Sequence, residues 1–494
     1  MGIIKRQGIQ NSIISYAGVV IGYINVMVLF PRVLAVDQVG LTRLLPNVAI
    51  ILAQLSALGF GSAGIKYFPF FRDKAKRHNN FLLLLFGIPL LGFLFISGIF
   101  YGFKPYILNY FGKEDQLLRS YSYYILPLSF FTLLYNLFTS YLTSLYKTVI
   151  PSFTKDFLLR VGTSACVLLY YFKLITFETF LFLFIAVNCS ITMVLLVYVV
   201  FLKQLHFNLD TAPLQDKPIK PMIRYGLYAF MGNISSMVIT LIDSVMISHY
   251  RNLASVGIYT TATNVASIIL IAGSSIFKIA LPQIADFWKS ENMVAMLKLY
   301  KQVTRINLVI GGLLFIGIWA NINNLFSLLP QEYASGKYVI FFICAARLYD
   351  LATGINGHIL LTSAKYRYDL IFNLLLSGLT IVANMYFIPR YDIAGAAFVY
   401  LMVSGLINSL RLVAVWYFYK MQPFTSSSLK IIAIALAAYG AGFWLPYLGN
   451  TLLDLLGRSA LITIIYGTGI WVFELAPELT DKFQTILLKR KIKN

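Results

Sequence analysis

The chain has 494 residues, of which 59% are hydrophobic and only 12% are charged, and its mean hydropathy is +0.76. A soluble domain of this length cannot bury so much apolar surface, so the composition excludes a soluble enzyme or binding protein. The net charge of +21 is typical of nucleic-acid-binding proteins, but most of the excess lies in short segments between apolar runs, so we predict no nucleic-acid partner.

Apolar runs recur along the whole chain, and each is long enough to cross a hydrocarbon core of about 30 Å as a helix. A helix satisfies its own backbone hydrogen bonds where no water can. The sequence therefore predicts an all-α polytopic membrane protein with about 14 transmembrane helices. In chain order, we place them at 9–30, 42–70, 81–102, 118–146, 152–172, 176–202, 222–249, 255–285, 303–328, 336–363, 369–388, 393–419, 427–448 and 456–474.

Positive charge alternates between the segments that connect these runs. Lys and Arg are frequent on one side, as at 72–77, 203–224 and 482–493, and sparse on the other. We assign Arg160 to the rich side and Arg458 to the poor side. Because the side rich in Lys and Arg faces the cytoplasm, we predict that both termini are cytoplasmic.

Two segments recur at nearly constant spacing. Residues 39–50 (VGLTRLLPNVAI) match 256–267 (VGIYTTATNVAS) at an offset of 217, and 134–139 (LYNLFT) match 348–353 (LYDLAT) at an offset of 214. A duplicated unit of six helices accounts for both matches. An even number of helices gives the two copies the same orientation in the membrane.

The repeats define the predicted domains. We predict two pseudo-symmetric six-helix lobes around a central cavity, residues 1–212 and 213–422, joined by a polar linker at 203–221. Two further helices and a basic tail occupy 423–494. Such duplicated lobes commonly expose a central site alternately to the two sides of the membrane, so the architecture predicts a transporter.

Three short motifs relate the chain to a known superfamily. They are the Val-Gly pairs that open the second and eighth predicted helices, the segment Leu58–Phe68 (LGFGSAGIKYF), and Leu45-Pro46-Asn47. With the fourteen-helix pattern, they resemble the multidrug/oligosaccharidyl-lipid/polysaccharide exporter superfamily, most closely its Wzx-type polysaccharide or O-antigen flippases. The last motif is also similar to the MurJ lipid II flippases. The resemblance covers essentially the whole chain.

This resemblance implies a flippase that moves an undecaprenyl-diphosphate-linked oligosaccharide from the inner to the outer leaflet by alternating access. Its place is a bacterial cytoplasmic (inner) membrane, and its role is the biosynthesis of O-antigen, capsule or exopolysaccharide. Such a protein is a transporter and not an enzyme, works as a monomer among membrane lipids, and has a polysaccharide polymerase or glycosyltransferases as further partners.

The alternative is a cation-coupled multidrug antiporter of the related multidrug-extrusion group. Its cavity should be acidic or apolar because its substrates are usually cationic. Bases outnumber acids inside the predicted helices, which argues against this alternative.

Basic residues inside the predicted helices are the candidate ligands of the diphosphate and the sugar, because charges at such depth usually face a cavity or a partner. Lys66 and Lys278 form a pseudo-symmetric pair that receives the diphosphate, or they snorkel to the interface. Arg347 either binds substrate or forms an internal ion pair with Asp350, three residues later.

Arg411 and Arg43 complete the predicted substrate site. Arg411 lies deep in the twelfth predicted helix. Arg43 lies near the outer end of the second, where it assists release or holds an ordinary interfacial position.

The intramembrane acids suggest ion coupling. In the repeat, Asp243 aligns with Asn25 and Asp350 aligns with Asn136. Acids inside the predicted helices are therefore expected only in the second half of the chain. A carboxylate in hydrocarbon must be paired, protonated or bound to a cation. We hypothesise that Asp243 and Asp350 form a Na⁺ or H⁺ coupling site, unless Asp243 reaches water at the outer end of its helix. No other cofactor and no metal site are predicted.

Overall fold

The structure, a computed structural model, describes residues 2–73, 80–110, 116–205 and 217–477, with the side chains of some helical residues, including Lys278, outside the description. All regular secondary structure in these ranges is helical. Eleven of the described helices are long and apolar enough to cross a membrane, or up to 12 if a bent pair forms one span. The predicted all-α, multi-pass class is confirmed.

The chain forms two compact units, Met1–Thr260 and Thr261–Asn494. The helices of the first unit are α1 (Gly2–Ile24), α2 (Phe30–Val33), α3 (Val36–Ala57), α4 (Phe60–Phe71), α5 (Phe81–Gly102), α6 (Lys104–Tyr110), α7 (Gln116–Tyr121), α8 (Ile125–Ser144), α9 (Val149–Ser152), α10 (Leu159–Tyr171), α11 (Phe177–Phe201), α12 (Ile219–Tyr250) and the start of α13 (Leu253–Lys289). Two π-helical segments, Asn25–Leu29 and Phe153–Leu158, continue α1 into α2 and α9 into α10.

The second unit contains the rest of α13. Its other helices are α14 (Met293–Ala320), α15 (Ile322–Ser327), α16 (Lys337–Ala352), α17 (Asn356–Thr362), α18 (Tyr366–Tyr419), α19 (Ser426–Trp444) and α20 (Thr451–Val472). Helix α18 includes two predicted helices, and Asp392, with a φ of 57°, interrupts its helical geometry between them. The predicted lobe boundary at 212/213 lies outside the described residues, so the domain assignment stays a prediction.

Side-chain caps set the starts of two helices. The side-chain oxygens of Asn292 and Asn450 accept hydrogen bonds from backbone N–H groups in the first turns of α14 and α20, at 3.0 and 2.9 Å. A cap of this kind satisfies N–H groups that have no partner within the helix. Both helices therefore begin earlier than the predicted starts at 303 and 456.

The repeated Val-Gly pairs lie in contact with each other, near the starts of α3 and α13. A Cβ atom on Gly40 would lie 1.8 Å from the carbonyl oxygen of Leu253, and one on Gly257 would lie 2.4 Å from that of Val36. Leu253 and Val36 are themselves equivalent by the repeat offset, so the contact is reciprocal. Backbone approaches backbone at both glycines, which is why the repeat retains a residue without a side chain.

Leu58 and Gly59 divide the second predicted helix into α3 and α4. Both residues have positive φ, 48° and 74°. A Cβ atom on Gly59 would lie 2.0 Å from the carbonyl oxygen of Gly226 in α12, so a larger residue does not fit. The Leu-Gly pair of the Leu58–Phe68 motif thus makes the kink after which α4 packs against α8 and α12.

Partly buried polar contacts join α1 to the helical run that contains Arg160. Ser15 Oγ donates to Asp156 Oδ2 at 2.6 Å, and the Arg160 guanidinium donates to the carbonyl oxygen of Gly18. This geometry corrects one prediction. Asp156 is an intrahelical acid in the first half of the chain, where none was expected, whereas Arg160 lies within the predicted helix 152–172.

A buried ion pair anchors α20. Asp454 and Arg458, one turn apart, are 1% and 9% exposed, and Arg458 Nη2 lies 3.0 Å from Asp454 Oδ1. The guanidinium also donates to the carbonyl oxygens of Gly442 and Leu445 at the end of α19, and Asn324 of α15 donates to Asp454. Arg458 was assigned to an outer segment by charge counting; the structure places it inside a hydrogen-bonded network.

Candidate functional site

A cavity of about 530 Å³ opens within the first unit, among α3, α4, α8 and α12. This volume falls within the range of about 300–1,000 Å³ that is usual for small-molecule sites. The polar residues of its described lining are Gln54, Ser62, Asn136, Thr139, Ser140, Thr143, Asn233, Ser236 and Thr240. The lining described here contains no charged side chain. The described lining is therefore electrically neutral and combines a mainly apolar wall with amide and hydroxyl groups.

Three carboxamides reach the cavity from three helices: Gln54 from α3, Asn136 from α8 and Asn233 from α12. Within the described ranges, none of these three side chains hydrogen-bonds to another protein group. Each carboxamide has two N–H donors and a carbonyl oxygen that accepts hydrogen bonds. A ligand with many hydroxyl groups can satisfy all three, whereas an apolar ligand would leave them unpaired at a cost in free energy. Sequence reasoning missed these residues because neutral amides in apolar helices give no charge signal.

The kink at Gly59 shapes one wall of this cavity. Gly59, Gly61, Ser62 and Ile65 all belong to the lining. No atom of the described chain outside the local backbone lies within 4 Å of a Cβ atom placed on Gly61, so the absence of a side chain there leaves open space. The motif that carried the family resemblance is thus part of the site.

Lys66 lies one turn beyond Ser62, in the middle of α4. Its side chain is exposed, and its Nζ lies 3.8 Å from the centroid of the Tyr225 ring in α12. In the part of the chain that the structure describes, no carboxylate pairs with Lys66, so its charge is available to an anion. Lys278 lies in α13 with its side chain outside the described residues, and the predicted Lys66–Lys278 pair stays a prediction.

Arg347 and Asp350 lie one turn apart in α16 of the second unit. Arg347 Nη1 is 3.6 Å from Asp350 Oδ2, and its guanidinium lies 4.9 Å from the centroid of the Tyr400 ring. Ser404 and Asn408 of α18 also donate hydrogen bonds to Asp350. Among the described residues, Arg347 Nε is buried and has no hydrogen-bond partner. The guanidinium therefore has donor capacity beyond the ion pair.

Arg411 is held by partners that the sequence did not reveal. Its Nε donates to Asp369 Oδ1 at 2.9 Å and its Nη2 donates to Asn373 Oδ1 at 3.0 Å. This geometry favours a role in joining the two parts of α18. Arg43 has its guanidinium carbon 4.9 Å from the centroid of the Phe30 ring. Substrate binding by Arg411 and Arg43 remains a prediction.

Asp243, in α12, is only 4% exposed and accepts a hydrogen bond from Tyr259 Oη at 2.6 Å. It is buried and does not lie at a water-exposed helix end. Asp243 belongs to the first unit and Asp350 to the second, so the shared coupling site remains a prediction. No cluster of three His, Cys, Asp or Glu suited to a metal occurs among the described residues.

Changing Tyr259 to Phe tests how much the Asp243 contact contributes to stability. We expect the free energy of unfolding to fall by about 1–3 kcal/mol, because the buried carboxylate loses a donor. Denaturant titration of the purified protein, followed by circular dichroism, measures this change. Tyr106, 74% exposed, is the control, and Tyr106→Phe should change the value by less than about 0.5 kcal/mol. Equal effects in both variants would contradict the assignment.

Comparison with known proteins assigns the family. A family model described as "Polysaccharide biosynthesis protein" matches residues 5–288, more than half of the chain and all of the cavity lining. The chain belongs to the polysaccharide biosynthesis protein family. The capsular polysaccharide biosynthesis protein CapF of Staphylococcus aureus is 22% identical over 224 residues, which are 44% of this chain and 53% of CapF. The chain thus matches about half the length of this relative.

Solved structures establish the fold of this family member. The lipid II flippase MurJ, in an inward closed conformation, superimposes with a TM-score of 0.76 at 14% identity, covering 94% of this chain and 98% of MurJ. An inward-facing multidrug resistance transporter of the MATE family has a TM-score of 0.59 at 12% identity, covering 80% of this chain and 94% of the transporter. The resemblance to polysaccharide exporters related to MurJ is confirmed.

Proposed function

We propose that this protein is a flippase that moves an undecaprenyl-diphosphate-linked oligosaccharide across the bacterial cytoplasmic membrane and is not an enzyme. The observation that carries the proposal is the neutral cavity of carboxamides and hydroxyls in the first unit, with the exposed Lys66 beside it. Membership in a polysaccharide biosynthesis family and the fold shared with a lipid II flippase support it.

The physical problem of such transport is to carry a sugar and a diphosphate across hydrocarbon, where each unsatisfied polar group costs several kcal/mol. Gln54, Asn136 and Asn233 supply hydrogen-bond donors and acceptors for the sugar. Lys66 in the first unit supplies a point charge for the diphosphate, and Arg347 in the second unit is a separate candidate base that offers a planar guanidinium. The lipid tail stays in the bilayer, which lowers the barrier for the whole molecule.

We further propose alternating access by two six-helix lobes, 1–212 and 213–422, with fourteen membrane crossings and both termini in the cytoplasm. The break at Asp392 supports two crossings within α18, and the unbroken helical run 149–171 supports one crossing. Asp243 and Asp350 are the proposed sites of Na⁺ or H⁺ coupling. A glycosyltransferase supplies the lipid-linked glycan and a polymerase uses it.

A cation-coupled multidrug antiporter is the second candidate function, because the fold is shared with a MATE transporter. A cationic drug in a cavity of low dielectric needs a carboxylate to pair with its charge. The described lining has no acidic residue and offers amides and hydroxyls instead. This observation favours the flippase.

A large side chain at Gly61 should block the pathway. We expect Gly61→Phe to lower transport at least about tenfold, because the ring fills a cavity that must hold the sugar. Complementation of a deletion strain, scored by accumulation of inward-facing lipid-linked glycan at equal protein abundance, measures the effect. Gly87 is the matched control, since a Cβ atom there also meets open space but lies outside the lining. Equal transport by Gly61→Phe and Gly87→Phe would reject the cavity as the pathway.

The bases are tested in the same assay. We expect Lys66→Ala and Arg347→Ala each to lower transport by about ten- to a hundredfold, the value of one charge-assisted hydrogen bond. Lys66→Arg should retain most transport because it keeps the charge. Lys298→Ala, at an exposed base of α14, is the control and should leave transport unchanged. Full transport by Lys66→Ala would remove Lys66 as a diphosphate ligand.

A further inference from the structure

The cavity in the first unit is uniform in its chemistry. Its polar side chains are all amides or hydroxyls, and its other described side chains are small or aliphatic, such as Ile50, Ile65, Leu137 and Met237. The described lining contains no acid, no base and no aromatic ring. The lining therefore offers hydrogen bonds from neutral amide and hydroxyl groups only.

We infer that this cavity selects lipid-linked glycans whose sugars nearest the diphosphate are uncharged, such as hexoses and N-acetylhexosamines, over glycans with a carboxylate there. The inference rests on the proposed function and names its substrate class. Lys66 lies one helical turn from Ser62 of the lining. A diphosphate held at Lys66 therefore places the first sugars, and not the distant end of the glycan, in the cavity.

Hydrogen bonding explains the acceptance of neutral sugars. Each hydroxyl of a hexose, and each acetamido group of an N-acetylhexosamine, both donates and accepts. Gln54, Asn136 and Asn233 do the same, and in the described structure they have no protein partners. Aliphatic lining residues contact the C–H faces of the sugar ring. A neutral sugar thus satisfies the amides without leaving a group of its own unpaired.

Desolvation explains the rejection of acidic sugars. A carboxylate that enters the cavity gives up part of its hydration to the lining and meets no base among the described lining residues, and desolvating an unpaired charge is more costly than desolvating a hydroxyl. Lys66 cannot compensate fully, because its ammonium group lies over the Tyr225 ring and is engaged by the diphosphate. The preference arises from the missing counter-charge and not from size.

A comparison of Asn136 with its equivalent in the second unit supports the neutral character of the lining. By the internal repeat it is equivalent to Asp350, which in the second unit pairs with Arg347. The first unit has an amide where the second has a charged pair.

Binding of three probes to the purified full-length protein tests the inference. The probes are a polyprenyl diphosphate without sugar, one with a disaccharide of N-acetylhexosamines, and one with a hexuronic acid in place of one N-acetylhexosamine. We expect the neutral glycolipid to bind at least about tenfold more tightly than the other two. Asn136→Leu and Asn233→Leu should reduce its affinity to that of the sugar-free probe, while binding of the sugar-free probe persists and shows that the variants fold.

A gain of function completes the test. Gln54→Lys places a cation in the lining and should raise affinity for the acidic probe about tenfold. Failure of this variant to do so, while it still binds the sugar-free probe, would overturn the inference. Equal affinity of the wild-type protein for both glycolipids would also overturn it and leave the flippase proposal standing. If none of the three polyprenyl diphosphates binds, both proposals fail.

Discussion

Gly40→Ala is expected to lower transport at least about tenfold and to destabilise the protein by about 1–3 kcal/mol or more. The added Cβ atom would lie 1.8 Å from the carbonyl oxygen of Leu253, and a backbone atom cannot turn aside as a flexible side chain can. Helices α3 and α13 must therefore separate at their starts. Because α3 also carries Gln54, this displacement changes the cavity as well as the packing.

The reciprocal contact predicts an order of effects. Gly257→Ala should be milder than Gly40→Ala, since its Cβ atom would lie 2.4 Å from the carbonyl oxygen of Val36. Gly98→Ala should be neutral or stabilising by up to about 1 kcal/mol, because no atom of the described residues beyond the local backbone lies within 4 Å of its Cβ atom and alanine favours a helix. Transport and denaturant titration of the three variants measure the order. A Gly40→Ala protein that behaves like Gly98→Ala would refute the contact.

Asp454→Ala should lower the free energy of unfolding by about 3–5 kcal/mol, because it leaves the buried Arg458 guanidinium without its counter-charge. Arg458 is 9% exposed, so water cannot replace the lost carboxylate. The change should also loosen the attachment of α20 to α15, since Asn324 donates to the same carboxylate. Denaturant titration of the purified protein measures the loss.

A double substitution separates charge from packing at this pair. Asp454→Leu combined with Arg458→Met should recover most of the stability that Asp454→Ala loses, because no buried charge is left unpaired. Glu332→Ala, at an exposed acid, should change stability by less than about 0.5 kcal/mol. If the double variant is as unstable as Asp454→Ala alone, then the ion pair is not the origin of the effect.

The fold was largely predictable from local information. Helices such as α5, predicted at 81–102 and observed at Phe81–Gly102, follow from apolar length alone, because a membrane helix satisfies its backbone within the segment. The repeat at 39–50 and 256–267 was also visible, and it marked two helix starts that lie in contact. The caps at Asn292 and Asn450 explain why α14 and α20 begin before the predicted starts at 303 and 456.

Charged residues inside the helices were easier to predict than the neutral cavity. Lys66 and Arg347 stand out because a base in an apolar run is conspicuous, and the Arg347–Asp350 pair was predicted because its partners are three residues apart. The Arg411–Asp369 pair joins residues distant in sequence and was missed. The Ser15–Asp156 contact and the burial of Asp454 were missed because both depend on neighbouring helices.

By itself, the sequence determined that this chain is a multi-pass helical membrane protein, that it contains a repeat, and where its conspicuous bases lie. These are local properties, set by the cost of exposing backbone and charge to hydrocarbon. Only the tertiary structure decided that Gln54, Asn136 and Asn233 meet in one neutral cavity. Their proximity depends on the Gly59 kink and on how four helices pack, and no spacing along the chain encodes that contact.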